Sequence, residues 1–265
     1  MSRVSRIIKR MRGSLGPVPV HSLAVHTVMH CNLSCRGCNH ASPLQEESLA
    51  EPEQIERDLR RARRVVHSRL VRVMGGEPLL HPRIDDVLQI IKDSRITDQI
   101  VVVTNGTLMG KMTDRFWSLA DLLHVSRYPG VPLHVPARRE AKVQFKDFPE
   151  FHETYSTIRN DVEGLVRTIY DACTIKQGCY GLAHGRFFRC MRAAYLPRAI
   201  GLPDDLDGVP LGNLTRRGLR AHLKEDRPLK SCAYCTGSSG KSYPHQQLPA
   251  RVWLTYQNRP IAHMI

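Results

Sequence analysis

The chain has 265 residues, 42% of them hydrophobic, with 39 Lys and Arg against 25 Asp and Glu and a formal net charge of +14. That length supports one domain with a modest appendage and a sizeable core, and no apolar run approaches the roughly 20 residues of a membrane span. The basic balance would suit nucleic acid, an anionic surface or an anionic substrate, but the arginines are scattered and aromatic residues make up only 6%, too few for a base-stacking surface, so neither membrane nor nucleic acid is expected as a partner.

Residues 1–20 read as a basic N-terminal arm, in which Arg3, Arg6, Lys9, Arg10 and Arg12 precede "GSLGPVPV". Gly and Pro there interrupt any apolar stretch that would form the core of a signal peptide. A cytoplasmic protein is expected, in which eight cysteines serve as metal ligands or reactive thiols rather than disulfides. "LAVHTVMH" (23–30) reads as a strand ending at a cysteine cluster. Residues 51–69 read as a helix, with Ile55, Leu59, Ala62 and Val66 at helical spacing and Pro52 near its start. The arginine run at 60–64 falls on its solvated face.

Residues 70–78 form a strand running into a double glycine, 83–95 an amphipathic helix, 98–107 a strand with a polar end and 113–121 a helix. Strands follow at 122–130 and 141–148, then a helix at 161–172. Strands alternating with helices of this length predict an α/β fold with a parallel sheet, whose working face lies at the C-terminal strand ends. Beyond about residue 170 the alternation stops and cysteines reappear. The chain therefore divides into an arm (1–20), a main domain (21–170) and a C-terminal region (171–265).

Cys31, Cys35 and Cys38 are spaced C-x3-C-x2-C, with His30 and His40 beside them. A structural zinc site would need a fourth ligand, for which the two histidines are candidates. Three thiolates in one tight loop also suit an iron–sulfur cluster. A four-iron cluster held by three cysteines keeps one iron open to a small molecule.

The cysteine loop at the end of a first strand, with "GGEP" at the end of a second, resembles the radical S-adenosylmethionine (SAM) enzymes over residues 22 to about 160. The resemblance implies a partial (β/α)6 TIM-like barrel and a 4Fe-4S cluster on Cys31, Cys35 and Cys38. It implies that the open iron chelates SAM, and that the reduced cluster splits it to methionine and a 5′-deoxyadenosyl radical. The turn Gly75-Gly76-Glu77-Pro78 is then expected at the SAM amino group, where glycines allow close backbone approach and the Glu77 carboxylate complements an ammonium. Thr104 and Asn105 end the third strand and Ser126 the fourth, where family members place polar contacts to the SAM ribose or carboxylate. One departure is Gly37, since the family often carries an aromatic residue just before the third cysteine, packed on the adenine.

The C-terminal region holds Cys173, Cys179, Cys190, Cys232 and Cys235, with "GLAHGRFFRC" (181–190) reading as a hairpin that leads to a cysteine. Its spacing resembles the opening of the SPASM and shorter twitch extensions, which implies an auxiliary 4Fe-4S cluster on Cys173, Cys190, Cys232 and Cys235. A zinc ribbon is the alternative for four paired thiolates. Cys179 is left over, as a structural thiol, a replacement for Cys173 or a hydrogen-atom donor.

The resemblance implies hydrogen abstraction from a small polar substrate, with oxidation of a sugar- or aminocyclitol-like alcohol in secondary metabolism as the preferred outcome. An external flavodoxin- or ferredoxin-like electron donor is implied as partner. The alternatives are epimerisation with Cys179 returning a hydrogen atom, and modification of a ribosomally made peptide, for which the arm is too short to be a leader-binding domain. A zinc-bearing nucleic-acid-binding module is the non-enzymatic alternative. Arg127, Tyr128 and Lys146, at strand ends, are candidate substrate contacts, and the arginine excess would suit a phosphorylated or nucleotide-linked substrate.

Overall fold

A computed structural model describes residues 16–176, 178 and 180–265; most of the basic arm, and Cys179, lie outside the described residues. The first half alternates as expected: β1 (Val18–Val28), α1 (Pro52–Ala62), β2 (Val66–Gly75), α2 (Ile84–Ser94), β3 (Thr97–Thr104), α3 (Asp114–Leu119), β4 (Leu122–Arg127) and β5 (Val143–Asp147). These strands lie side by side in chain order, all in parallel. The sheet does not close into a barrel. Instead β7 (Tyr180–Ala183) adds in parallel to the far side of β1, followed by antiparallel β8 (Arg186–Phe188) and β9 (Val209–Pro210).

Several element boundaries differ from the sequence pattern. Helix α1 stops at Ala62 instead of residue 69, and Val66 opens β2 opposite Val18. The β-branched pair Val65-Val66 is buried there, so sheet pairing outweighs the helical spacing that Val66 happens to continue. The same pairing draws Val18 to Val20 out of the expected arm and into β1. Helix α4 (Leu165–Ala172) starts later than residue 161, because Gly164 at φ 73° sets the turn ahead of it.

Helices α1 to α3 cover one face of the sheet. Leu23, Val25, Val71, Val73, Ile100, Val102, Leu123 and Val125 form a continuous core with Ile55, Leu59, Leu88 and Ile91. In α1, Pro52 occupies the first turn, where its missing N–H costs nothing. Parallel register puts the alternating residues Arg72, Met74, Val103, His124, Ser126 and Lys146 on the opposite, concave face.

The rest of the chain folds back over the C-terminal strand ends. β6 (Glu150–His152) pairs with β10 (Ser242–Pro244) in a separate antiparallel ribbon. Helix α7 (Ala250–Gln257) inserts the fully buried Trp253 among Ala41, Tyr155 and Leu196. Helices α5 (Leu196–Ala199) and α6 (Arg216–Lys224) complete this part. Among the described residues, no helix is long and apolar enough to cross a membrane.

Leu88 has 0% exposure, whereas Leu254 on α7 is 47% exposed. Leu88→Ala should cost about 2–5 kcal/mol and Leu254→Ala no more than about 0.5 kcal/mol, as read by urea unfolding of the two variants.

Candidate active site

The cysteine loop leaves β1 against the turn that ends β2. Gly76 N–H donates to the Val28 carbonyl at 2.7 Å, and Glu77 N–H to the His30 carbonyl at 3.0 Å. A Cβ on Gly75 would lie 2.1 Å from the Val28 oxygen, and one on Gly76 1.9 Å from the His30 oxygen. The double glycine is therefore required by the packing of two backbones, before any ligand is considered.

Glu77 has 0% exposure. Its Oε1 accepts from Thr104 Oγ1 at 2.6 Å and Leu79 N–H at 3.0 Å, and its Oε2 from Asn105 N–H at 2.7 Å. The carboxylate expected at a ligand's ammonium is thus engaged by three internal donors, and it ties the end of β3 to the turn after β2. Thr104 in turn accepts from Gly106 N–H at 2.9 Å. The Asn105 amide donates to Asn32 Oδ1 at 2.8 Å and contacts Cys31 Sγ at 3.6 Å, while its oxygen accepts from Thr107 N–H and Oγ1. Asn32 also donates to Thr107 Oγ1 at 2.8 Å. Asn32 and Thr107 are site residues that the motifs did not single out, although both sit inside the polar strand-end segments.

A strap from the C-terminal region closes the other side of the loop. Arg36 N–H donates to the Gln246 carbonyl and Leu248 N–H to the Ser34 carbonyl, both at 2.9 Å. The Arg36 guanidinium lies between the rings of Tyr243 and Tyr256, 3.9 and 4.0 Å from their centroids, and pairs with the buried Glu153. Gly37 takes φ 70°, and a Cβ there would fall 1.8 Å from the Tyr243 hydroxyl. An aromatic side chain at that position is excluded because Tyr243 already occupies the space. His245 Nε2 sits 3.2 Å from Cys35 Sγ, and its ring stacks on Tyr128 with centroids 4.9 Å apart. Neither His245 nor Tyr243 was evident from sequence, since both reach the loop from about two hundred positions away.

Burial pushes the Cys31 thiol up to about 12, against the Leu33 N–H that favours the thiolate. Burial pushes Cys35 higher still, with the neighbouring sulfurs of Cys38 and Cys31 adding to it. Without a metal these thiols hold their protons, so taking one up would release them. His40 packs edge-on against His26 and Tyr195, at 5.6 and 5.0 Å, which places it in an aromatic cluster. Among the described residues, no three His, Cys, Asp or Glu side chains converge as the ligands of a single ion would.

Ser126 sits half-buried on the concave face and hydrogen-bonds Tyr128. Lys146 shares that face, with its ammonium 5.0 Å from the Phe148 ring. Arg127 points the other way, where it forms an exposed pair with Asp147 at 2.7 Å. It is therefore separated from the other two candidate substrate contacts.

The four cysteines of the second group are set around one cavity. Cys173 caps α4, Cys190 follows β8, and Cys232 and Cys235 lie on one 3-10 turn. All four line one cavity of about 100 Å³. Beside it lies Arg192, 9% exposed, whose guanidinium donates to the Gly237 carbonyl at 2.7 Å, to Asn39 Oδ1 at 2.5 Å and to Cys235 Sγ at 3.4 Å. Burial works against its charge, but the Cys235, Cys190 and Cys173 sulfurs outweigh that and hold the guanidinium protonated. No carboxylate pairs with it among the described residues. A buried cation needs a counter-charge, and the cysteine sulfurs supply it only as thiolates.

Glu77 sets a pH signature. Burial raises its carboxyl from the ordinary 4.5 to about 7, against the three donors. Between those values the folded chain holds a proton that the unfolded chain releases. The contribution is thus fully present below pH 4.5 and lost as pH rises through about 7. Urea unfolding should show wild type losing stability from pH 5 to pH 8 relative to Glu77→Gln, which lacks the titration; identical slopes for the two proteins would contradict this.

Residues 25–129 match the family model of the radical SAM superfamily. A probable GTP 3′,8-cyclase of Pyrococcus horikoshii is 35% identical over 100 residues, 37% of this chain and 30% of that protein. A GTP 3′,8-cyclase of Chlorobaculum tepidum is 35% identical over 90 residues, 32% of this chain and 25% of its own length. The chain thus matches less than a third of the length of these curated relatives. The crystal structure of BtrN in complex with AdoMet and 2-DOIA superposes with a TM-score of 0.50 at 13% identity, over 78% of this chain and 83% of BtrN, a likeness of fold. The matched stretch is the one in which the cysteine loop and the Gly-Gly-Glu-Pro turn are clamped together, and it is this part of the chain that is similar to the radical SAM superfamily.

Proposed function

We propose that this enzyme abstracts a hydrogen atom from a small polar substrate and that the preferred outcome is oxidation of a sugar- or aminocyclitol-like alcohol. The likeness of residues 25–129 to the radical SAM superfamily implies a 4Fe-4S cluster and SAM, and the donor set fits: three thiols in one loop, with a polar Asn32–Asn105–Thr107 network beside Cys31. On Cys31, Cys35 and Cys38, such a cluster would supply reductive cleavage of SAM to methionine and a 5′-deoxyadenosyl radical.

The chain's own residues arrange what surrounds that chemistry. Since the Glu77 carboxylate is engaged internally, the backbone of residues 75–77 is the part of the turn left to receive an ammonium. Asn105 and Ser126 offer polar contacts at the ends of β3 and β4. Tyr128 and His245 present a stacked pair beside Cys35, the aromatic surface that Gly37 lacks.

The observation that carries the oxidative outcome is the second cysteine group with Arg192 against it. An auxiliary 4Fe-4S cluster on Cys173, Cys190, Cys232 and Cys235 would supply a one-electron acceptor. Converting an alcohol to a ketone balances as loss of one hydrogen atom, then one electron and one proton. A flavodoxin- or ferredoxin-like protein is the proposed reductant. A nucleotide substrate is the second reading, favoured by the GTP cyclases that share the matched stretch.

Anaerobic reconstitution should give about eight irons per chain, and the reduced protein should form 5′-deoxyadenosine from SAM. The double variant Cys190→Ala/Cys235→Ala should retain about four irons and SAM cleavage, while Cys35→Ala should lose cleavage. Stoichiometric zinc without SAM cleavage would rule out this function.

A further inference from the structure

The concave face of the sheet holds charge that the fold does not use. Arg72 on β2 and Lys146 on β5 flank His124 on β4 and Gln144 on β5, which the register sets side by side. No acidic residue shares this face of β1 to β5. Neither Arg72 nor Lys146 forms an ion pair among the described residues, whereas Arg127, one residue on from Ser126 and on the opposite face, is paired with Asp147.

Arg72 is half-buried in the middle of the sheet, where an apolar residue would fold at lower cost. His124 hydrogen-bonds Gln144, and burial, followed by the charge of Arg72, holds its imidazole below the ordinary range. Two cations and a neutral imidazole therefore line one surface with nothing of opposite sign against them.

We infer that this face is a binding site for a phosphoryl group of the substrate, held by Arg72 and Lys146 with His124 and Gln144 between them. The inference rests on the concave face being the substrate chamber of a radical SAM enzyme. Arg72 comes three residues before Gly75, which at the rise of a strand is about 10 Å below the working end. A substrate anchored there by its phosphoryl group reaches up toward the cysteine loop with its sugar or cyclitol ring. A planar guanidinium and a mobile ammonium from separate strands match a dianion with several acceptors better than a single carboxylate.

The test is calorimetric titration of inorganic pyrophosphate, and separately succinate, into the iron-loaded protein at low salt. Pyrophosphate should bind one per chain. Arg72→Gln and Lys146→Gln should each weaken binding about tenfold or more, while Arg83→Gln, an exposed control on the far side of the sheet, leaves it unchanged. Absence of pyrophosphate binding, wild-type binding by either variant, or succinate binding as tightly as pyrophosphate would each overturn the proposal. Iron content and deoxyadenosine formation, measured on the same samples, report on the radical SAM reading separately. A folded, SAM-cleaving protein that ignores pyrophosphate defeats the anion site alone.

Discussion

The backbone clamp between the end of β1 and the turn after β2 is the constraint on which the site depends. Two N–H donors, from Gly76 and Glu77, reach the Val28 and His30 carbonyls across a gap too narrow for any Cβ. Glu77 extends the clamp to a third strand by accepting from Thr104, Asn105 and Leu79 with both oxygens. Strand ends that would otherwise be loose become one rigid rim, and the cysteine loop is launched from that rim. The cost is a buried carboxylate, which the fold tolerates because three donors surround it.

A second constraint joins the rim to the C-terminal region. Arg192 donates both to Asn39, next to Cys38, and to Cys235, so one buried guanidinium bridges the two cysteine groups. On the other side of the loop, Arg36 and Glu153 tie the strap to it, with Arg259 as Glu153's second cation. The two halves of the chain therefore share charged groups as well as apolar contacts. Buried pairs of this kind are costly to break by removing one partner.

The sequence made the local features plain. Cys31, Cys35 and Cys38, the double glycine and each strand or helix are each written in one short stretch of sequence. Gly37 was legible as a departure but not as a cause, since Tyr243 meets it only in the folded chain. Asn32, Thr107 and His245 escaped for the same reason: partners 75 and 210 positions apart carry no spacing signal. The burial of Glu77 left no sign in its own stretch of sequence, because it depends on where β3 ends. The overlong α1 shows the reverse error, a helical periodicity carried past the point where β1 claims Val66 for the sheet.

Ser34 and Leu248 are 214 positions apart, yet they exchange hydrogen bonds around the cysteine loop. Until the strap docks, the loop lacks its backbone bonds to Gln246 and Leu248, and bringing such distant segments together is entropically slow. The three thiols thus reach their places only once both halves of the chain have been made and have met. A cluster held by these thiols would then be loaded at the end of maturation rather than on the emerging first domain, and any cut between the halves would leave a loop with the right cysteines and no fixed shape.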